Sequence, residues 1–116
     1  MIYKNKQNQM RDFVILSLIN GSIRPGDPLF EKKFFTSKFK VNPSYVDEVF
    51  KELEKEEIIT KNGRKYIVCA SNEKINWLKV EILHEYISDF MDNISSIGMT
   101  VDEAIEILQQ RNQANG

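Results

Sequence analysis

The sequence predicts a mainly α-helical protein with one small β-hairpin. Apolar residues recur at helical spacing through most of the chain, and two short β-prone runs flank an Asn-Gly pair. The chain has 116 residues, enough for one domain with an appendage, and its 41% hydrophobic and 28% charged residues are typical of globular proteins.

The first helix is predicted over residues 4–20, where apolar residues form a broad face that requires burial on more than one side. Gly21 follows it, and glycine is suited to the left-handed position past a helix C-terminus. We expect Ser22–Arg24 to be extended or a short strand, and Pro25-Gly26 to be the centre of a type II turn. The apolar face contains Met10, Phe13, Val14 and Leu18.

A short second helix is predicted over residues 31–39, with Phe34, Phe35 and Phe39 on its apolar side. The central helix then begins after Asn42, a favourable N-cap residue, with Pro43 at the first helical position. Its apolar stripe at i, i+3, i+4 and i+7 consists of Val46, Val49, Phe50 and Leu53. The opposite face is polar, which suits either insertion into a DNA major groove or an ordinary surface helix.

Two β-prone runs, 58–60 and 66–68, follow the central helix and predict a hairpin with Asn62-Gly63 between them. Three cations lie at its tip: Lys61, Arg64 and Lys65. Helix, short helix, turn, helix and basic hairpin is the element order of a winged helix-turn-helix, in which the third helix enters a groove and the wing contacts the backbone or minor groove.

The rest of the chain predicts a helical tail. A long helix is expected from Glu73 to about Ser95, and a last helix from Val101 to about Arg111, with Thr100 and Glu103 as a capping box and the final NQANG expected to fray. The long helix is apolar on more than one side, so we predict that residues 73–112 hold a homodimer. The predicted interface residues are Leu83, Tyr86, Ile87, Phe90 and Ile94.

Charge is distributed unevenly along the chain. Residues 1–70 contain 13 Lys/Arg and 9 Asp/Glu, whereas residues 71–116 contain 3 and 8. Only the first part has the sign that attracts a polyanion, so we assign DNA binding to residues 1–70. The predicted DNA contacts are Lys33, Asn42, Ser44, Tyr45, Lys51, Lys61, Arg64 and Lys65.

Composition argues against an enzyme, a metal site or a bound cofactor. The sequence has one cysteine, one histidine and no phosphate-loop, Ser/His/Asp or metal-cluster motif. Cys69 is expected to be a buried, inert thiol, and His84 a packing or interface residue. We expect a cytoplasmic protein, because the sequence has a lone cysteine, a start without the apolar core of a signal peptide, and no apolar run long enough to span a membrane.

Several residues keep two interpretations. Asp47 and Glu48 are either solvated or paired with Lys51, or they accept hydrogen bonds from cytosine N4; as acidic residues they also favour an alternative in which the winged helix serves protein–protein contact. Tyr45 either touches a thymine methyl group or a phosphate, or covers the core. Trp77 and Tyr86 are either core residues or the lining of a ligand pocket.

The chain resembles the GntR family of bacterial transcription regulators. The residues that carry this resemblance are Ile2-Tyr3, Gly21, the turn segment 23–29, Val41, Val46, Leu53-Glu54 and Glu57-Ile58. Asn42-Pro43 and the tail segment MTVDEAIEIL (residues 99–108) resemble the YtrA subfamily in particular. This resemblance implies a homodimeric transcription factor, usually a repressor, which binds palindromic double-stranded DNA and often accompanies a transport operon; it indicates no particular effector.

The sequence departs from the family pattern at four positions. Lys33 stands where the family has an arginine, and Lys65 where the wing often has a second glycine. Tyr45 and Asp47 stand where the family usually has a small residue and a basic or amide residue. These departures lie in the predicted DNA-contacting face, so the resemblance does not imply which operator sequence is bound.

Overall fold

The computed structural model describes residues 5–115, so Ile2-Tyr3 and the predicted start of the first helix at residue 4 lie outside the described residues. Within that range the chain forms five helices and one hairpin, which confirms the predicted fold class. The elements are α1 Lys6–Ile19, α2 Lys32–Phe39, α3 Pro43–Lys55, β1 Ile59–Asn62, β2 Lys65–Val68, α4 Asn72–Ser96 and α5 Val101–Asn115. They divide into two compact units, Ile2–Lys79 and Val80–Gly116.

Helix α1 forms the centre of the first unit. The Asn5 side chain caps it by accepting a hydrogen bond from the Asn8 N–H at 2.8 Å, and Gly21 ends it with a φ of 82°. The buried hydroxyl of Ser17 donates to the Phe13 carbonyl at 2.8 Å, so this polar group is satisfied inside the core. The buried apolar residues of the helix are Met10, Val14, Ile15 and Leu18.

The turn after α1 ties the helices to the hairpin. Asp27 N–H donates to the Arg24 carbonyl at 2.9 Å and Gly26 has a φ of 92°, which confirms the predicted type II turn. Residues 22–24 form no strand, contrary to one of the two expectations; instead Pro28 pairs with Ile67 in an isolated bridge. The Leu29 N–H donates to the Tyr66 carbonyl at 2.9 Å, so the turn segment extends the two-stranded sheet.

Aromatic rings join α2 to α1 and α3. Phe35 is fully buried, and its ring lies edge-on to those of Phe13 of α1 and Phe50 of α3, with centroids 6.2 and 5.5 Å away. Phe50 in turn meets Tyr66 of β2 edge-on at 5.1 Å. Such edge-to-face pairs add to the stabilisation from buried area, and here they fix α3 between α2 and the hairpin.

The second unit contains the end of α4 and all of α5. Gly98 follows the end of α4 and has a φ of 75°. Thr100 and Glu103 form the predicted capping box at the start of α5, where the Glu103 N–H donates to Thr100 Oγ1 at 3.1 Å. Helix α5 continues to Asn115, four residues beyond the predicted end near Arg111. None of the described helices combines the length and the apolar character needed to cross a membrane.

Candidate nucleic-acid interface

Helix α3 buries one stripe and exposes the other, as its sequence predicts. Val46, Val49, Phe50 and Leu53 are all 5% exposed or less. Asn42 and Pro43 occupy the N-cap and first helical positions as expected, but the Asn42 side chain makes no capping hydrogen bond. Its amide is therefore exposed and available at the start of the helix, where the residues that contact base edges lie in helix-turn-helix proteins.

Three further predicted contact residues of α3, Ser44, Tyr45 and Lys51, are exposed. Tyr45 is 45% exposed at the mouth of a small hollow that it lines with Lys6, Gln7 and Val41, so it does not cover the core. Its contact with a thymine methyl group or a phosphate stays a prediction.

Both acidic residues near the start of α3 are held by neighbouring helices. The Lys32 ammonium of α2 lies 2.6 Å from Asp47 Oδ1, and the Gln7 amide of α1 donates to Glu48 Oε2. The expectation of pairing with Lys51 is wrong, because these partners on α1 and α2 reach the carboxylates instead. Lys32 therefore compensates the charge of Asp47, whereas the neutral amide of Gln7 leaves the charge of Glu48 in place.

The hairpin is the predicted wing, and Asn62-Gly63 lies at its turn as the sequence indicates. Asn62 pairs with Lys65, so the two central residues of the turn are Gly63 and Arg64. Gly63 has a φ of 68° and Arg64 does not have a positive φ, which corresponds to a type II′ turn with glycine at its first central position. The side chains of Lys61, Arg64 and Lys65 are exposed at the tip, with Lys61 Nζ 5.6 Å from the centre of the Tyr66 ring.

An open cleft of about 750 Å³, which we call the wing cleft, separates the wing from the N-terminal ends of α2 and α3. Phe30, Phe50 and Tyr66 form its apolar part. Its charged lining is mostly basic: Lys32, Lys61, Arg64 and Lys65 against Glu31 and Asp47. The structure thus brings the wing cations together with Asp47, whereas Lys33 is exposed on α2 and does not line the cleft.

In the second unit, four of the five predicted interface residues are exposed: Leu83, Tyr86, Ile87 and Phe90, at 39–55%. Ile94 differs, because it is 8% exposed and buried within the single chain. Trp77 and Tyr86 are 54% and 55% exposed, so neither is a core residue of the chain.

The two residues with redox or metal-binding chemistry do not form a site. Cys69 is exposed, contrary to the expected burial, because it lies just past the end of β2. Its N–H donates to the Ile58 carbonyl at 2.9 Å, and its thiol lies 3.3 Å from the Glu57 carbonyl, to which it donates. Partial burial and, secondly, the charge of Glu57 raise the pKa of its thiol. His84 is exposed, and no group of three or more His, Cys, Asp or Glu among residues 5–115 is placed to hold a metal ion.

The supporting contacts of α3 are not evident from the sequence. Arg11 of α1 holds Glu56 after the end of α3 through two hydrogen bonds, and Lys32 and Gln7 hold Asp47 and Glu48. All of these contacts join different elements, so no local spacing could indicate them.

Sequence and structure comparisons give consistent relatives. No family model matches the chain. It is 25% identical over 99 residues to the uncharacterised HTH-type transcriptional regulator YhcF of Bacillus subtilis, covering 84% of this chain and 82% of that protein. A GntR family transcriptional regulator from Listeria monocytogenes superposes with a TM-score of 0.77 at 22% identity, covering 95% of this chain and 97% of the other.

Two further structures are similar in fold. YtrA from Sulfolobus acidocaldarius, a GntR-family transcription factor, gives a TM-score of 0.51 at 23% identity, with 95% of this chain and 90% of that chain covered. BusR of S. agalactiae, solved in complex with its busAB-promotor DNA, gives 0.55 at 20% identity, with 98% of this chain and 58% of that chain covered.

The fold and its exposed basic wing define a winged helix-turn-helix protein. Together with these relatives they support the predicted resemblance: the chain is similar to GntR-family transcriptional regulators. The YtrA subfamily stays a prediction. The relatives are described as transcriptional regulators and not as enzymes.

Proposed function

We propose that the chain regulates transcription by binding a palindromic operator in double-stranded DNA as a homodimer. The observation that carries this proposal is the combination of an exposed polar face on α3 with the three exposed wing cations Lys61, Arg64 and Lys65. A helix of this kind enters the major groove, and wing cations bind phosphates without regard to sequence. The BusR complex with promoter DNA supports the proposal, since that protein shares the fold.

The regulatory role that we propose is repression of a transport-related operon. We also propose that the protein is cytoplasmic. Its support is the resemblance of Asn42-Pro43 and of residues 99–108 to the YtrA subfamily. A repressor needs only to occupy its operator, and the two helices that follow the wing supply the predicted dimer interface for that purpose.

A winged-helix module for protein–protein contact is the second candidate, and Asp47 and Glu48 on α3 are the features that favour it. The ion pair with Lys32 compensates the charge of Asp47, which supports DNA binding, whereas the hydrogen bond from Gln7 holds Glu48 without removing its charge. An exposed carboxylate with an intramolecular cationic partner is compatible with a nearby phosphate backbone.

The test is a fluorescence-anisotropy titration of the full chain against the upstream region of its own operon and against random duplex of equal length. We expect tighter binding to the upstream region, and a loss of roughly 10³–10⁵ in affinity between 50 and 200 mM salt if six to ten phosphates are contacted. Equal affinity for both duplexes would contradict sequence-specific regulation, and binding without salt dependence would favour the protein–protein alternative.

A further inference from the structure

The carboxylate of Asp47 occupies a defined place on the DNA-facing side of the protein. Ser44, Lys51 and Lys55 follow one another at i, i+7 and i+11 along the middle of the exposed face of α3, opposite the buried stripe. Asp47 lies one turn after Ser44, on the flank of this face that lines the wing cleft. A residue in the first two turns of a recognition helix is within reach of base edges in a major groove.

Lys32 determines how that carboxylate is presented. Its ammonium lies 2.6 Å from Oδ1, and both side chains remain about half exposed, at 45% for Lys32 and 50% for Asp47. No other group among the described residues is found to donate to the Asp47 carboxylate, so Oδ2 keeps its capacity to accept a hydrogen bond. The ion pair also compensates the negative charge beside the exposed cations Arg64 and Lys65.

Resting on the proposed function, we infer that Asp47 reads a cytosine in each half-site and that Lys32 is its positioning residue. In the major groove, the N4 amino group of cytosine is a hydrogen-bond donor, while guanine presents only acceptors, so a carboxylate oxygen selects cytosine on the strand it faces. Adenine N6 also donates, but its neighbouring N7 acceptor repels a carboxylate.

Glu48 provides an internal comparison on the same helix. Its Oε2 accepts a hydrogen bond from Gln7 on the opposite flank, away from the wing cleft, so it carries the same charge without the same position. Neutralising Glu48 should therefore strengthen binding to every duplex alike, whereas neutralising Asp47 should change which base is preferred.

The experiment begins with the wild-type chain. The operator is selected from a random duplex pool, and competition titrations then measure every single-base substitution in one half-site. The same set is measured for Asp47→Asn, Lys32→Met, Lys32→Arg and the control Glu48→Gln. The melting temperature of each variant is recorded, so that a loss of folding is recognised separately.

We expect the wild type to disfavour replacement of one cytosine by about 5- to 150-fold, the discrimination typical of one base contact. Asp47→Asn should lose cytosine preference at that position alone, Lys32→Met should weaken it, and Lys32→Arg should retain it. Glu48→Gln should leave all base preferences unchanged.

Two outcomes would overturn the inference in different ways. If Asp47→Asn binds all duplexes more tightly and keeps every base preference, Asp47 is only a compensated charge, and the proposed function stands on the wild-type data. If the wild type itself distinguishes no base at any position, sequence-specific regulation fails, and the role of Asp47 fails with it.

Discussion

Arg11 of α1 holds Glu56, the residue that ends α3, through two parallel hydrogen bonds. Arg11 Nε lies 3.2 Å from Glu56 Oε2, and Nη2 lies 2.9 Å from Oε1. The two side chains are only 29% and 38% exposed, so water competes for them less than for an ordinary surface pair. This contact fixes the C-terminal end of the recognition helix, while Gln7 and Lys32 hold residues near its N-terminal end.

Replacing Arg11 with methionine should lower the free energy of unfolding by about 1 kcal/mol, because a partly buried two-point ion pair exceeds the value of an exposed one. Urea denaturation followed by circular dichroism measures the change. Lys55→Met, which removes an exposed cation at the end of the same helix, is the matched control and should cost less than about 0.5 kcal/mol. Equal losses in both variants would show that the ion pair adds nothing beyond surface charge.

A second prediction concerns the wing. Replacing Arg64 and Lys65 together with alanine should weaken binding to all duplexes similarly, since exposed cations at the turn contact phosphates rather than bases. The slope of log affinity against log salt should flatten by about 0.9 for each phosphate that the variant no longer neutralises. Lys79→Ala, an exposed cation of α4, is the control for a general charge effect. A change in base preference would instead show that these residues read sequence.

The third prediction concerns Ser44, in the middle of the exposed face of α3, where we expect an effect on base preference and none on the salt dependence. Ser44→Ala should relax the preference at one base position in each half-site and leave the salt slope unchanged, because its exposed hydroxyl carries no charge and can hydrogen-bond to a base edge. Competition titrations with single-base variants measure this. Ser37→Ala on the exposed side of α2 is a suitable control. Uniform weakening toward all sequences would mean that Ser44 contacts the backbone.

The sequence predicts what local chemistry determines. The apolar stripe of α3, the Gly21 helix end and the Thr100–Glu103 capping box all depend on residues within about two helical turns, and the structure contains each of them. The exposed wing cations are also predictable, because the hairpin signal lies between two adjacent β-prone runs.

Contacts between different helices and strands cannot be predicted from such local patterns. Lys32 and Asp47 are brought together by the packing of α2 on α3, whereas the predicted partner Lys51 is merely the nearest cation along the helix. Burial is the usual state of a free cysteine, but the place of Cys69 after the last residue of β2 leaves its thiol exposed. The Asn62-Gly63 pair indicates a turn but not the register of the two strands. The observed pairing of Asn62 with Lys65 makes Gly63 and Arg64 the central turn residues.

The Cys69 thiol should react slowly for an exposed cysteine. Partial burial and the Glu57 carboxylate raise its pKa, which lowers the reactive thiolate fraction near pH 8. Alkylation by iodoacetamide should therefore be slower in the folded chain than in urea, and Glu57→Gln should accelerate it in the folded chain. Since the folded-state pKa is the higher one, this group favours unfolding as pH rises above the ordinary thiol pKa. Equal rates before and after Glu57→Gln would exclude the carboxylate as a cause.

The last prediction is that the second unit forms the homodimer. Leu83, Tyr86, Ile87 and Phe90 recur at i, i+3, i+4 and i+7 along α4, so they form one continuous apolar stripe. Each is between 39% and 55% exposed in the single chain. Helix α5 adds further exposed apolar residues: Val101, Ile105, Ile107 and Leu108. Contiguous apolar surface on this scale marks an interface, and a two-fold partner covers it most simply.

Phe90→Glu should therefore yield monomers or aggregates, because each large side chain removed from water at such an interface contributes on the order of 1 kcal/mol or more. Operator affinity should also collapse, although no DNA-facing residue has changed, since one recognition helix makes too few contacts and two are needed to read a palindrome. Sedimentation equilibrium at micromolar concentration measures the assembly, with Asp92→Asn on the same helix as the control. A well-folded wild-type monomer would contradict the dimer, and a monomeric Phe90→Glu variant with full operator affinity would separate dimerisation from DNA binding.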